Sequence, residues 1–566
     1  MLIYYVLVPI LTAVLLFTFP VAKAGRLVAV AFQTVLTGAA VYLFIKSKEG
    51  VITTSIGGFQ GVMGISLSSD SLSSFFILLT SFIFLIVAIY SVHEDNNRLF
   101  QFLLFIWEGL LIGIFLSRDL FNIFILVEIS TVVVSVLIMF KRDKRSMYDG
   151  MFYLMVNTVA LQFYLFGIGY VYKLAGAFDL NAVGMALSRL DKSSLFLPYA
   201  LIFTAICLKC AFLPLFSWLP RAHGTPGAPS AVSAILSGLH IKSGIYLFIR
   251  CTELFSDISV PEFFIVAGIV TGIAGFILAI SQSDIKLTLA YSTISQVGLI
   301  MIGLNINDIH SYTGSVYHIF NHAIFKSALF LCAGIIADAY GTRDIDKIRG
   351  VLRRFPLVGA AILMAILGIT GAPLFNGSIS KYFIMSGTNV AITSAVILIN
   401  LGTIVTFMKY SRMLFGRPST EADSSSVTGS SADGSSVTGS SADVSFGVDA
   451  GAKYNASVKA GAIKIDLYKQ ATILVLGIMC LIGGIFGEQL IEFLLDVRVS
   501  LDAAGYLQKI ALYAVCLLLG FFINGYFKKN HTLLDRIRGI ELNFRGACSA
   551  IGLFFAALLI ITRFVS

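Results

Sequence analysis

Apolar runs recur along nearly the whole chain, separated by short polar stretches. Most are about 20 residues long, the length at which a helix spans a bilayer core. Counting them predicts about sixteen spans, centred near residues 11, 36, 82, 108, 130, 162, 206, 240, 270, 295, 325, 364, 400, 482, 517 and 556. The expected fold is therefore an all-α polytopic membrane protein. The first run, LIYYVLVPILTAVLLFTFP, has no basic residue before it, and its first positive charges, Lys23 and Arg26, follow it. A cleaved signal peptide has the opposite layout, so this run reads as the first span.

Two stretches interrupt the pattern. Residues 209–230, KCAFLPLFSWLPRAHGTPGAPS, carry four prolines, and residues 368–381, GITGAPLFNGSISK, carry Gly371, Pro373 and Gly377. Proline and glycine inside a span free backbone groups that only protein or water can satisfy. Interrupted helices in corresponding halves point to an ion or substrate site in repeat-built transporters. The breaks fall in spans seven and twelve, which fits two five-span repeats, spans four to eight and nine to thirteen. Residues 425–444, SSVTGSSADGSSVTGSSADV, form a tandem ten-residue repeat with little to bury, expected as a flexible loop.

Composition sharpens this picture. The chain of 566 residues is 57% hydrophobic and only 13% charged, with a mean hydropathy of +0.90. Soluble proteins average about 25% charged residues, so lipid is the solvent, and no polar segment is long enough for a soluble domain. The net charge of +9 does not suggest nucleic-acid binding, because the basic residues sit between spans. Clusters at 141–145, 343–354, 453–469 and 528–545 all follow odd-numbered spans. By the positive-inside rule that side is cytoplasmic. Both termini then face outward and the serine-rich loop faces the cytoplasm of a plasma-membrane protein. The seven cysteines give no disulfide framework, and the Cys207–Cys210 CxxC reads as helix packing rather than metal ligation.

A charged group at the bilayer centre costs about 2.5–3.5 kcal/mol on insertion scales, so each needs a reason. Glu128 lies well inside span five, and Lys209 stands just before the first break. Pairing lowers the cost of burying both, and a glutamate that approaches or withdraws would control whether the lysine keeps its proton. A static pair locking two helices is the alternative. Lys242 lies midway along span eight. His240, two residues earlier, faces elsewhere and reads as an additional candidate or a packing histidine. His318, His322 and Lys326 follow i, i+4, i+8 spacing. Each step rises about 6 Å and rotates about 40°, so they form one stripe. Histidine exchanges protons near neutral pH, which gives the stripe the form of a proton relay, against the alternative of polar helix glue. Lys381 follows the second break, as an exit from the membrane centre or an interfacial anchor. Glu108 sits mid-span with no assignable partner.

Four motifs, DLFNIFILVE, LKCAFLPLFSWLPRAHGTPGAPSAVSA, IKLTLAYSTISQVG and HIFNHAIFKSALFL, occur in an order that resembles the antiporter-like membrane subunits. These are found in respiratory complex I, Mrp cation/proton antiporters and membrane-bound energy-converting hydrogenases. The resemblance covers residues 100–415. It implies a fourteen-helix core with two inverted five-helix repeats and broken helices 7 and 12. It also implies proton-translocation roles for Glu128, Lys209, Lys242, His318, His322, Lys326 and Lys381. Glu108 has no counterpart. Two spans follow the core, and the eighteen residues KKNHTLLDRIRGIELNFR between them leave no room for a long lateral helix.

The expected organisation is then residues 1–98 as N-terminal spans, 99–252 and 258–415 as the two inverted repeats, 416–468 as the serine-rich loop and 469–566 as the C-terminal spans. The expected function is proton translocation, with Na⁺/H⁺ exchange as a variant, by one subunit of a redox-driven NADH dehydrogenase- or hydrogenase-type complex. The partners are other membrane subunits, protons, sodium as a second ion, and lipid, with no nucleic acid. No cofactor is expected in this chain, which lacks glycine fingerprints, haem and iron–sulfur motifs. Flavin and iron–sulfur clusters would belong to partner subunits. The alternatives are a D-type subunit of an Mrp cation/proton antiporter without redox drive and a non-conducting scaffold.

Overall fold

The computed structural model of the chain describes residues 1–19, 22–56, 64–94, 98–417, 465–529 and 531–565. The serine-rich repeat lies outside them. Five helices open the described chain: α1 (Ile3–Thr18), α2 (Ala22–Glu49), α3 (Ser71–Tyr90), α4 (Arg98–Leu116) and α5 (Leu120–Ile138). Then come α6 (Lys144–Ala175), α7 (Leu180–Leu187), α8 (Lys192–Lys209), α9 (Trp218–Gly224), α10 (Ser230–Ile235), a π-helical turn Leu236–His240, and α11 (Ile241–Leu254). The second half holds α12 (Pro261–Ser281), α13 (Ile285–Leu304), α14 (Ile309–Tyr340), α15 (Val351–Arg354), α16 (Pro356–Thr370), α17 (Asn376–Ile384) and α18 (Val390–Ser411). The C-terminal part holds α19 (Leu467–Ile485), α20 (Gly487–Leu495), α21 (Ala503–Lys529), α22 (His531–Arg538) and α23 (Phe544–Val565).

Each of the sixteen expected centres falls inside an apolar helix. Among the described residues fourteen helices are long and apolar enough to cross a membrane. The two shorter ones are α1, with 16 residues, and α16, with 15. The fold is helical as expected, with a short β-ladder beside the helices. Ile52–Ser55 and Ser66–Ser69 pair as an antiparallel ladder, Ile52 opposite Ser69. Serine and threonine dominate both strands, so they carried no apolar signal, although β-branched residues suit an extended edge.

The two halves are built alike. Aspartates cap the helix starts at one constant offset along the chain. Asp119 accepts from the Asn122 amide at 2.7 Å, and Asp284 from the Lys286 amide at 2.8 Å. Asp143 accepts from Ser146 at 3.0 Å, and Asp308 from Ser311 at 2.8 Å. These caps satisfy amides that a helix start leaves open. The 32-residue helices α6 and α14 end on Gly176 and Gly341, at φ 69° and 65°, where glycine turns the chain without a Cβ penalty. Just beyond, the Leu120 amide bonds the Phe178 carbonyl at 3.0 Å, and the Ile285 amide bonds the Arg343 carbonyl at 2.9 Å.

Both expected breaks are present. The chain leaves α8 at Lys209 and turns at Ala211, φ 56°; it leaves α16 at Thr370 and turns at Gly371, φ 76°. Equivalent bonds close the turns, from Phe212 N to Cys207 O at 3.0 Å and from Ala372 N to Leu367 O at 2.9 Å. The α22 helix has eight residues, in keeping with the short linker. It lies against α12, with Arg538 Nε donating to Ser281 O at 2.9 Å. α23 then packs on α8 and α6, while α21 packs on α18. The C-terminal helices thus strap one half to the other.

Without a hydrophobic drive between helices in lipid, close packing of small residues decides contacts. α12 presents Gly268 and Gly275 to α13, and Gly272 to Ile399 of α18. A Cβ on Gly298 of α13 would lie 2.5 Å from both the Gly268 carbonyl oxygen and the Gly272 amide nitrogen. Backbone cannot yield as a side chain can. Gly298→Ile is expected to destabilise by more than the ~1–3 kcal/mol of ordinary overpacking. The readout is the thermal midpoint of the detergent-solubilised protein, and an unchanged midpoint would refute the packing argument.

Candidate functional site

The interrupted helices bring buried polar side chains together along the middle of the molecule. At one end, Lys209 closes α8 and is 4% exposed. Its Nζ donates to Thr131 Oγ1 at 3.1 Å. Thr131 sits one turn after Glu128 on α5 and itself donates to the Val127 carbonyl at 2.9 Å, so Lys209 is held by a neutral hydroxyl rather than by the direct Glu128 ion pair expected from the sequence. Among the described residues no ion pair within 4.0 Å joins the two. The half-buried Glu128 keeps one carboxylate oxygen, Oε2, without a hydrogen-bond partner. Lys209 also borders a small cavity with Val127, Asn157 and Tyr164. There is room for its ammonium to move.

His240 is fully buried beside this cluster. Its Nε2 lies 3.0 Å from the Tyr153 hydroxyl, and its Nδ1 accepts from Trp107 Nε1 at 3.3 Å. The π-turn Leu236–His240 directs His240 to that side and Lys242 to the other. Such turns often mark functional places in helices. Lys242 Nζ makes a very short contact with His322 Nδ1 on α14 and donates to the Ser237 carbonyl. Of the pair at 240 and 242, Lys242 is the one that meets the stripe.

The stripe itself is as the spacing requires. His318, His322 and Lys326 are all 0% exposed on one face of α14. Lys326 donates to Leu289 O at 2.8 Å and to Ser292 Oγ. The His318 and His322 ring centroids are 6.5 Å apart. His318 Nε2 meets Gln296 Oε1 at 3.1 Å, and its Nδ1 meets Ser380 Oγ at 2.8 Å. Ser380 precedes Lys381 on α17. Lys381 is 2% exposed and donates to Ile369 O at 2.6 Å and Asn400 Oδ1 at 2.7 Å. Its burial removes the interfacial-anchor alternative. The carbonyl it caps was freed by the second break, so break and lysine satisfy each other.

Sequence reasoning passed over several members. Thr131, Tyr153, Gln296 and Asn400 are neutral, and only their position reveals them. Lys509 on α21 reaches the Ser378 carbonyl and lines a cavity with Lys381, Asn400 and Tyr513. It lies near the start of span fifteen, outside the charges that the sequence singles out. His223 is fully buried against Phe330, rings stacked at 4.5 Å, and neither ring nitrogen has a partner. Lys286, inside a quoted motif, donates to Ala228 O at 2.9 Å. Glu108, which the sequence left without a partner, accepts from Gln33 Nε2 at 2.6 Å. It lies in the α2–α3–α4 group, away from the central row.

Residues 117–408, which hold every member of this row except Lys509, match the NADH:quinone oxidoreductase/Mrp antiporter transmembrane family. The chain belongs to that family. Among curated members, it is 28% identical over 377 residues to the D-type Na(+)/H(+) antiporter subunit of Alkalihalophilus pseudofirmus, covering 64% of this chain and 76% of that one. It is 30% identical over 354 residues to the putative antiporter subunit mnhD2 of Staphylococcus aureus, covering 61% and 70%. The fold is shared with a chain of the Mrp complex from Dietzia sp. DQ12-45-1b, at TM-score 0.74, 22% identity and 95% and 99% coverage. It is also shared with a chain of respiratory complex I from Thermus thermophilus, at TM-score 0.71, 19% identity and 91% and 100% coverage. The chain is thus an antiporter-like, multi-pass membrane subunit.

Proposed function

We propose that the chain translocates protons along the row from Glu128 and Lys209 through Lys242, His322 and His318 to Lys381, as one subunit of a multisubunit plasma-membrane complex. The observation that carries this reading is the direct contact of Lys242 with His322. It joins the first half of the chain to the stripe on α14, and Ser380 leads from the stripe to Lys381. Lys209 takes up a proton when Glu128 draws near and gives it up when Glu128 withdraws. A small cavity borders Lys209 on the side of Val127 and Asn157. Beyond the π-turn, the row holds lysines and histidines and no carboxylate. A proton arriving at one of them raises the cost of charge on its neighbour, which drives it onward. Lys381 passes it toward Lys509 and the outside.

The driving reaction belongs to partner subunits. Relatives named as D-type subunits of Na⁺/H⁺ antiporters support exchange powered by ion gradients, and we prefer that reading to the redox-driven complex expected from the motifs alone. Co-purification from native membranes tests the choice. Small membrane subunits without flavin or iron–sulfur absorbance are expected; redox-active partners would reverse it. A non-conducting scaffold predicts that Glu128→Gln leaves exchange intact. We expect instead at least a tenfold loss with normal assembly on native gels.

A further inference from the structure

We propose that Glu108, Gln33 and Ser81 form a sodium site, separate from the proton row, in which Na⁺ and a proton occupy one carboxylate alternately. The three side chains are 0% exposed and come from α4, α2 and α3. Gln33 Nε2 donates to Glu108 Oε1 at 2.6 Å and to the Ser81 carbonyl at 3.2 Å. Glu108 Oε2, Gln33 Oε1 and Ser81 Oγ, one oxygen from each residue, all lack a hydrogen-bond partner. Buried polar atoms are seldom left in this state without an unseen ion or water. Three of them fall on fully buried residues linked through the Gln33 amide.

The charge of the surroundings narrows what that is. α1, packed on α4, carries no charged side chain, and neither does α3. The nearest charge on α2 is Arg26, two turns away, and on α4 it is Arg98 at the helix start. His240 meets α4 at Trp107, which donates to its Nδ1 at 3.3 Å. A lone carboxylate in an apolar interior requires a proton or a bound cation. One negative charge is neutralised by one monovalent ion, whereas a divalent ion would leave an excess charge. Carboxylate, amide and hydroxyl oxygens are hard ligands that suit a hard cation. The choice of sodium among such ions rests on the exchange reading above.

Access is also present. A cleft lined by Arg26, Ala29, Phe84, Ser91, Gln101 and Leu104 opens between the same three helices. Ala29, Phe84 and Leu104 each lie one turn from Gln33, Ser81 and Glu108. The cleft mouth is on the side that the positive-inside rule assigns to the cytoplasm. There Arg26 is held by the Val92 carbonyl, Nη1 to O at 3.2 Å.

A hydrophobic carbodiimide tests this in membranes holding the whole complex. The protonated carboxyl adds across a carbodiimide C=N bond, its proton passing to nitrogen, and the adduct rearranges to a stable acylurea found by peptide mass spectrometry. At fixed pH, sodium chloride is expected to slow labelling of Glu108 at least tenfold relative to choline chloride. Ser81→Ala should raise the sodium concentration that half-protects. Lys209→Ala should leave protection unchanged even where proton transport is lost, so failure of the row and failure of this site are distinguishable. Equal labelling in sodium and choline means a site for a proton or water only and overturns the proposal. No labelling in either salt overturns it as well, since the carboxyl would then not exchange with the cleft.

Discussion

Replacing Lys209 with alanine is expected to abolish proton translocation while leaving the complex assembled. A positioned proton-transfer group contributes about 10²–10⁴-fold to the step it serves, and Lys209 stands where the first break interrupts the membrane-embedded backbone. Its contacts are few. It makes one hydrogen bond, to the neutral Thr131, and the Glu128 carboxylate it faces is only half-buried, so alanine costs the fold little. Loss of function should therefore come without loss of fold. Thr131→Val, which removes the hydroxyl that Lys209 bonds and keeps the volume, should have a smaller effect in the same direction. Assembly on native gels and exchange in membrane vesicles separate the two effects. A Lys209→Ala complex that assembles and exchanges ions normally would refute its role.

The second large effect is expected at the junction between the halves. Lys242→Ala and His322→Ala should each cut translocation at least tenfold. The double variant should be little worse than either single. Residues in direct contact give non-additive effects; removing Lys242 leaves His322 buried with neither ring nitrogen bonded, at a cost of about 1–3 kcal/mol, and removing His322 leaves Lys242 only the Ser237 carbonyl. The singles should therefore also lower thermal stability, with partial recovery in the double variant. Additive losses would mean that the two residues act on separate paths.

Much of this was legible in the sequence, for reasons specific to each element. The breaks could be read because proline and glycine cannot be placed inside a span without consequence. The α14 stripe could be read because i, i+4, i+8 spacing fixes a face whatever the tertiary structure. Charged residues in apolar runs are conspicuous, which is why Glu128, Lys209, Lys242 and Lys381 stood out as candidates. What could not be read was pairing across the fold. Gln33 meets Glu108 from another helix, and nothing in a neutral glutamine announces it. Lys209 bonds Thr131 rather than Glu128, because side-chain reach, not sequence proximity, sets that geometry. The π-turn before Lys242 has no proline or glycine pattern that distinguishes it from continuous helix. Lys509 resembles a headgroup anchor until α21 is seen to bring it beside Ser378.

The account holds that Lys209 and Lys381 are two ends of one path, and flux across sealed proteoliposomes tests this most directly. The assembled complex would be reconstituted with a trapped pH-sensitive dye, and an ion gradient imposed. Wild type should change the internal pH. Both Lys209→Ala and Lys381→Ala should give flat traces. Lys409 provides the control: it is also buried, but it caps the Ile280 and Gln282 carbonyls away from the row, so Lys409→Ala should retain flux in protein that assembles. A normal pH change in the assembled Lys381→Ala complex would contradict the account.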